Sequence, residues 1–197
     1  MPTKNKEVLF VQGGGRGTHD EWDDKLVASL EKELDRGHVI HYPRMPSEGD
    51  PDAAAWKEAI GKELALLSDD AILVGHSLGA AIVLDYLADG DRERQLAGAF
   101  LMATPYIGEG GWPSADLRPT KELAARLPAG TPIYLYQGDD DETVPPSHVG
   151  LLAKALPQAT VRRLKGRYHQ LKDDLAEVAH DIARLGTART GVGVVSS

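Results

Sequence analysis

The chain has 197 residues, enough for one domain with a substantial core, and its 42% hydrophobic and 26% charged residues exclude a disordered or fibrous protein. Its net charge of −8 argues against a nucleic-acid or acidic-membrane partner, and its lack of cysteine excludes disulfides and thiolate nucleophiles. The apolar run from Val8 to Val11 is too short for a signal peptide or a membrane span, so we expect a cytoplasmic protein.

Short apolar runs alternate with amphipathic stretches along the chain, which is typical of parallel βαβ units. Six strands are predicted, at Val8–Gln12, His38–Tyr42, Ala71–Val74, Ala99–Ala103, Ile133–Gln137 and Val161–Leu164. Six helices are predicted, at Asp20–Leu34, Ala53–Leu67, Leu78–Ala88, Lys121–Leu127, Pro146–Leu156 and Lys172–Leu185. These elements predict a single domain over residues 1–185 and a flexible tail, rich in Gly, Thr and Ser, at residues 186–197.

The third predicted strand and the third helix are joined by Gly75-His76-Ser77-Leu78-Gly79. A Gly-x-Ser-x-Gly pattern in this position is typical of a nucleophile elbow, a strained turn that projects a serine hydroxyl above the sheet. Glycine lets neighbouring backbones pass closely, and the positive end of the helix favours negative charge. The pattern therefore predicts Ser77 as the nucleophile of a serine hydrolase. The alternative is a glycine-rich turn in which Ser77 only caps the helix.

The elbow resembles that of the α/β-hydrolase superfamily, which often reads Gly-His-Ser-x-Gly, as residues 75–79 do. The short chain, the glycine run at residues 13–15 and the Trp22 that follows it are similar to the small, nearly lidless retinoblastoma-binding-protein-9 group. The resemblance implies an α/β fold, a three-layer α/β/α sandwich around a parallel sheet of about six strands in the order 2-1-3-4-5-6. It also implies that the functional residues follow the chain order Ser, Asp, His.

A serine hydroxyl needs a base within hydrogen-bond reach and a carboxylate that orients the base. The family order puts the base on the loop before the last helix, and of the seven histidines only His169 lies there. His148, at the start of a helix near an acidic loop, is the nearest rival. His169 is therefore predicted to be the general base.

Three adjacent aspartates, Asp139, Asp140 and Asp141, follow the fifth predicted strand. The residues alone leave the choice among them open. Relatives often read Gly-x-x-Asp-x-x-Val-Pro at this point, and alignment on Val144-Pro145 implies that Asp141 is the acid. A Ca²⁺ loop is a competing interpretation of residues 139–142, but the EF-hand spacing is absent and no metal is expected.

The loop from Gln12 to Gly17 follows the first strand and is rich in glycine. In the superfamily this loop and the residue after the nucleophile supply the two amides of the oxyanion hole, which implies Gly14 and Leu78 here. Many relatives have His-Gly where this chain has Gln12-Gly13. A phosphate cradle is the alternative, but the loop matches neither nucleotide-binding glycine motif, and no cofactor is expected.

In this fold the insertion after the fourth strand usually selects the substrate, and here it is only Thr104–Thr120. We expect an open site with Tyr106 and Trp112 as apolar walls, and Trp22 and Trp56 as core or helix-packing residues. The resulting hypothesis is a serine hydrolase that cleaves small carboxylic esters. A hydrolase of small peptides or amides would use the same residues, and a protein-interaction module with a vestigial site belongs to a different class.

Overall fold

The fold is built on one parallel sheet, and the computed structural model describes it over residues 5–90 and 96–185. Each apolar run predicted as a strand pairs with its neighbours in parallel register. The strands are β1 Lys6–Val11, β2 His38–His41, β3 Ile72–His76, β4 Gly98–Met102, β5 Ile133–Gly138 and β6 Thr160–Leu164. Their spatial order is β2-β1-β3-β4-β5-β6, which confirms the predicted order.

Helices cover both faces of the sheet and produce the predicted three layers. They are α1 Asp23–Glu33, α2 Ala53–Ala65, α3 Ser77–Asp89, α4 Ser147–Ala155 and α5 Ala176–Arg184. Alternate residues of the buried strands point to opposite faces, so Leu9 and Leu73 pack against α2, α3 and α4. Phe10 and Val74 pack against α1 and α5 on the other face.

Two of the six predicted helices are wrong in part. Residues 121–127 do not form an α-helix: Thr120–Glu122 is a single 3₁₀ turn, and further turns follow it. Leu123 and Leu127 have helical spacing, but Pro128 disfavours a helical conformation for Leu127 directly before it. The last helix begins at Ala176 rather than at Lys172, which adopts a left-handed conformation. The predicted tail at residues 186–197 lies outside the described residues.

In the sheet, β1 lies beside β3. After β1 the chain continues to β2 on one side of this pair, and after β3 it continues to β4 on the other side. In such sheets a crevice forms beyond the carboxyl ends of the strands at this switch point. The loop after β1 and the turn after β3 both lie there, so this crevice brings the glycine-rich loop to Ser77. No helix within residues 5–90 and 96–185 has the length and apolar character needed to span a bilayer.

Candidate active site

Ser77 lies in the sharp turn between β3 and α3, at the carboxyl edge of the sheet. Its backbone is left-handed, with a φ of 52°, which is a strained conformation for a residue with a side chain. A Cβ on Gly79 would collide with the carbonyl oxygen of Gln12, and one on Gly75 would lie 2.9 Å from the Cα of Ala80. Both glycines are therefore needed, because a side chain at either position would push α3 away from the sheet.

His169 lies on the loop after β6 and connects Ser77 with Asp141. Its Nε2 is 3.0 Å from the Ser77 Oγ, and its Nδ1 is 2.9 and 3.1 Å from the two carboxylate oxygens of Asp141. Because a carboxylate can only accept, Nδ1 carries the proton and Nε2 is left to accept one from the serine hydroxyl. The structure thus brings together the three residues that the sequence predicts as nucleophile, base and acid.

The loop that carries His169 has an uncommon backbone. Leu171, Lys172 and Asp173 all have positive φ values, of 49°, 59° and 51°. Arg167 stabilises this turn: its Nη1 donates to the carbonyl oxygens of Leu171 and Asp174, at 2.6 and 2.9 Å. The guanidinium therefore replaces the backbone hydrogen bonds that an ordinary helical turn would supply, and it fixes the segment that follows the base.

Asp141 is buried and accepts hydrogen bonds on both carboxylate oxygens. The amides of Thr143 and Val144 donate to Oδ1 at 2.9 and 2.8 Å, and the Gln137 side-chain amide donates to Oδ2 at 2.9 Å. Burial raises the pKa of Asp141, but the interactions with His169, Val144 and Gln137 outweigh it and hold the pKa below its ordinary value. The carboxylate is therefore ionised and fixed in orientation.

The neighbouring aspartates have a different environment. Asp139 and Asp140 are exposed, and their backbone amides donate to the carbonyl oxygens of Leu164 and Arg167. These bonds attach the acid loop to the base loop without using the two carboxylates. Within the described ranges, no group of three or more His, Asp or Glu side chains converges in a way that could hold a metal ion.

Among the three consecutive glycines of the loop after β1, Gly14 differs from its neighbours. The Gly13 amide donates to the Asp23 carboxylate at 2.7 Å, and the Gly15 amide donates to the Glu48 carbonyl at 2.7 Å. No acceptor among the described residues takes the Gly14 amide. A Cβ on Gly14 would lie 2.7 Å from Cδ2 of Leu78, so the loop packs directly against the residue after the nucleophile.

Glu48 organises the glycine-rich loop, a role that no sequence pattern predicts. Its carboxylate accepts from the Gln12 side chain at 2.6 Å and from the amides of Gly17 and His19 at 3.0 and 3.1 Å. The Oε1 of Gln12 in turn accepts from the Met45 amide at 3.1 Å. Gln12, which stands where many relatives have histidine, therefore ties this loop to the loop after β2.

A cavity of about 470 Å³ opens beside Ser77 and His169. Its rim is aromatic: Trp112, Trp22 and Tyr168 line it, and the last two are 51% and 46% exposed.

The expectation that Trp22 packs in the core or against a helix is wrong. Thr18–Trp22 forms a π-helical turn before α1, and this wider turn changes the helical phase, so that Trp22 faces solvent and Asp23 faces the interior.

The insertion after β4 is attached firmly to the body of the protein. The guanidinium of Arg118 donates to the carboxylate of Asp85 on α3 at 2.6 Å and contacts Asp89 at 2.7 Å. Tyr106 is buried and does not line the cavity; its carbonyl accepts from the Trp112 amide at 2.8 Å and so supports that wall from behind. Trp56, by contrast, is fully buried in the core as expected.

His148, the rival histidine, is committed elsewhere. Its Nδ1 accepts from the Tyr106 amide at 2.9 Å, and the side chain is buried beside Trp112. Burial lowers the pKa of His148, in agreement with a neutral ring. The described contacts give it no hydrogen bond to Ser77.

Comparisons with solved structures agree with the fold. The chain is similar to the ydeN gene product of B. subtilis, with 19% identity and a TM-score of 0.70 over 93% of this chain and 100% of that one. It is also similar to a monoacylglycerol lipase of Paleococcus ferrophilus, with 17% identity and a TM-score of 0.66 over 95% and 96% of the two chains. Est1E of Butyrivibrio proteoclasticus has 16% identity and a TM-score of 0.68 over 95% and 89%.

No curated protein matches the chain. The similarity to the retinoblastoma-binding-protein-9 group stays a prediction. The model of the alpha/beta hydrolase family, however, matches residues 8–192, which is nearly the whole chain. With the sheet order and helical layers described above, this match shows that the chain belongs to the alpha/beta hydrolase family.

Proposed function

We propose that the protein is a serine hydrolase that cleaves small carboxylic esters through an acyl-enzyme. The observation that carries the proposal is the hydrogen-bonded chain from Ser77 Oγ through the His169 ring to the Asp141 carboxylate. Its distances suit proton transfer without rearrangement. A vestigial site in an interaction module would have no need to keep this geometry.

The reaction begins when Ser77 Oγ attacks the ester carbonyl carbon and its proton passes to His169 Nε2. The imidazolium that forms is stabilised by the ionised Asp141, which accepts from Nδ1. The tetrahedral intermediate collapses as the C–O bond to the alcohol breaks, and the alcohol leaves with the proton from Nε2. Water then attacks the acyl-enzyme by the same route, releasing the acid and restoring Ser77.

The oxyanion of the tetrahedral intermediate needs two donors that are free before the substrate binds. The Gly14 amide has no acceptor among the described residues, and the Leu78 amide belongs to the first turn of α3, where amides lack helical partners. The other two amides of the glycine run, those of Gly13 and Gly15, are already bonded. This contrast supports Gly14 and Leu78 as the pair of donors.

The shape of the cavity supports a small ester. Its volume is about 470 Å³, and the described residues that line it include Trp112 and Leu78 but no Lys, Arg, Asp or Glu. A neutral substrate fits such a lining: His76, which also lines the cavity, is already paired with Asp23, so a charged group would lose its hydration without gaining a free partner. The short insertion, held by Arg118, offers little further surface on which to bury a long acyl chain.

The experiment that tests the proposal is covalent labelling with a fluorophosphonate, followed by hydrolysis of a series of p-nitrophenyl esters. We expect the wild-type protein to be labelled on Ser77 and to release p-nitrophenol from the acetate and butyrate esters. Ser77→Ala is the matched control and should do neither. A wild-type protein that is not labelled would contradict the proposal.

A further inference from the structure

A second Asp–His pair lies beneath the proposed triad. Asp23 is the first residue of α1, and His76 is the last residue of β3, directly before Ser77. Both side chains are buried, with 0% and 1% of their surfaces exposed. The His76 Nδ1 lies 2.9 Å from one oxygen of the Asp23 carboxylate and 3.0 Å from the other.

The surroundings of His76 define its charge. Nδ1 faces the Asp23 carboxylate, and Nε2 is 3.2 Å from the backbone carbonyl oxygen of His169. Both groups can only accept hydrogen bonds, so each ring nitrogen must carry a proton and the ring is an imidazolium. A buried cation requires a buried anion, and Asp23 is placed to be that anion.

The groups that face the His76 ring are the Asp23 carboxylate from α1 and the ring and carbonyl of His169 from the base loop, with Asp141 also contributing its charge. Burial lowers the pKa of His76, but the charge and hydrogen bond of Asp23 outweigh it and raise the pKa above its ordinary value. Burial likewise raises the pKa of Asp23, and His76 more than offsets it. Both directions favour the charged pair.

Asp23 also connects the pair with the loops around it. The Gly13 amide donates to one carboxylate oxygen at 2.7 Å, and the Gln170 side chain donates to the other at 3.3 Å. One carboxylate therefore joins the glycine-rich loop, the elbow at His76 and the loop that carries His169. Through His76, the carboxylate also holds the backbone of His169. The ring centroids of His76 and His169 are 4.8 Å apart.

We propose that Asp23 and His76 are positioning residues which, as a charged pair, hold the glycine-rich loop and the base loop in register around Ser77. This role rests on the proposed serine hydrolase function. Asp23 accepts from the Gly13 amide and so holds the backbone next to Gly14, the proposed oxyanion donor. His76 donates to the carbonyl oxygen of His169 and so holds the backbone of the proposed base. The pair therefore acts on both groups together. A pair that served only global stability would influence neither.

The test compares the wild-type protein with Asp23→Asn, which keeps the shape but removes the charge. A second variant, Asp23→Asn/His76→Asn, is uncharged at both positions and avoids leaving a buried ion without its partner. The matched control is Asp181→Asn. Asp181 is also a buried carboxylate, bonded to Tyr136 and Arg162, and none of its contacts with described residues reaches Ser77 or His169.

Three measurements are made on each protein: the protonation of His76 by ¹⁵N NMR, the kcat and KM for p-nitrophenyl butyrate, and the affinity for butylboronic acid, an analogue of the tetrahedral intermediate. In the wild-type protein we expect both ring nitrogens of His76 to stay protonated well above neutral pH. In both Asp23 variants, kcat and boronate affinity should fall by about tenfold or more, since removal of one oxyanion donor costs about 10²–10³ and this effect is indirect. KM should change by less than about twofold.

Asp181→Asn should lower the melting temperature while leaving kcat and boronate affinity unchanged. Wild-type kcat and boronate affinity in the doubly substituted variant would overturn the proposal, as would titration of the wild-type His76 at its ordinary pKa. Failure of the proposed function has a different signature: the wild-type protein would not react with the fluorophosphonate although His76 is doubly protonated. That outcome would overturn the positioning role together with the hydrolase.

Discussion

The side-chain amide of Gln137, at the end of β5, points its nitrogen at the carboxylate of Asp141 and donates to Oδ2 at 2.9 Å. The same nitrogen also donates to the carbonyl oxygen of Val144 at 3.0 Å. Gln137 is completely buried, so these bonds have no competition from water. It therefore holds both ends of the turn that carries the proposed acid.

Replacing Gln137 by Glu should damage the site through charge. A second carboxylate would face Asp141 in a buried place, and its pKa would be raised because one of the two acids has to remain protonated. We expect kcat/KM at pH 7 to fall by about 100-fold, whereas Gln137→Met should lose about tenfold, since it removes the bond but adds no charge. Steady-state kinetics on p-nitrophenyl butyrate measure both.

The stability of Gln137→Glu should depend on pH in a defined direction. An acid whose pKa is raised in the folded state binds its proton more tightly there, so stability increases as the pH falls. The melting temperature of this variant, relative to wild type, should be higher at pH 5 than at pH 8. Gln137→Met should show no such trend, and an equal trend in both variants would contradict the charge explanation.

The three adjacent aspartates should respond very differently to amidation. Asp141→Asn should lower kcat/KM by about 10⁴, because an amide does not stabilise the imidazolium and favours the wrong tautomer of His169. Asp139→Asn and Asp140→Asn should cost about tenfold or less, since both carboxylates are exposed. Ser77→Ala and His169→Ala should each cost about 10⁴ or more, with circular dichroism unchanged. A loss of about 10⁴ in kcat/KM for Asp140→Asn, with Asp141→Asn nearly unaffected, would identify Asp140 as the acid instead.

The positions of the strands and of the turn at Ser77 were predictable from local pattern, whereas the strand order and the choice of Asp141 came from the family resemblance. Apolar runs mark the four central strands β1, β3, β4 and β5, and family motifs mark the turn at Ser77 and the loop with Asp141. The chain order of a parallel sheet then limits where the loops meet. The distances from His169 to Ser77 and Asp141 are long-range side-chain contacts, so only the structure supplies them.

The supporting residues were not predictable, because their partners are distant in sequence and their own residue types are ordinary. In the sequence, Glu48 is an ordinary loop carboxylate; only the structure shows that the Gln12 side chain and the Gly17 amide both donate to it. Asp23 reads as a helix N-terminal acid, although its partner His76 lies 53 residues away. The left-handed turn after Gln170 contains no glycine that would mark it.

Trp22 should contribute to substrate binding rather than to chemistry. It lines the cavity from the exposed side with a large apolar indole, and no hydrogen bond among the described residues joins it to Ser77 or His169. Trp22→Ala should raise KM for p-nitrophenyl butyrate by about fivefold or more and leave kcat within about twofold. Leu66→Ala is the matched control, since Leu66 is also exposed but lies outside the cavity, and its KM should not change.

The acyl chain preference should be for short esters. Each methylene buried in the cavity stabilises binding by about 0.8 kcal/mol, but a chain that extends beyond the cavity returns to water and gains nothing. We expect kcat/KM to rise from acetate to butyrate and then to level off or fall, so that esters of about eight carbons or more are poorer substrates. A kcat/KM that keeps rising with chain length would require a covering surface that the short insertion does not supply.

The Asp23–His76 pair should stabilise the fold only within a window of pH. Burial raises the pKa of Asp23, but His76 holds it below its ordinary value of 3.8, so its contribution is present above that value and is lost as the pH falls through the folded-state pKa. Burial lowers the pKa of His76, but Asp23 raises it above 6.5, so the stability that His76 contributes is present below pH 6.5 and is lost as the pH rises through the folded-state pKa.

The difference in melting temperature between wild type and Asp23→Asn should therefore be largest between about pH 4 and 6.5 and shrink on either side. Asp181→Asn provides the contrast, because its partner Arg162 stays charged and its difference should persist to pH 9, at about the value it has at pH 6. An Asp23 difference that also persists to pH 9 would show that His76 is not the group that titrates.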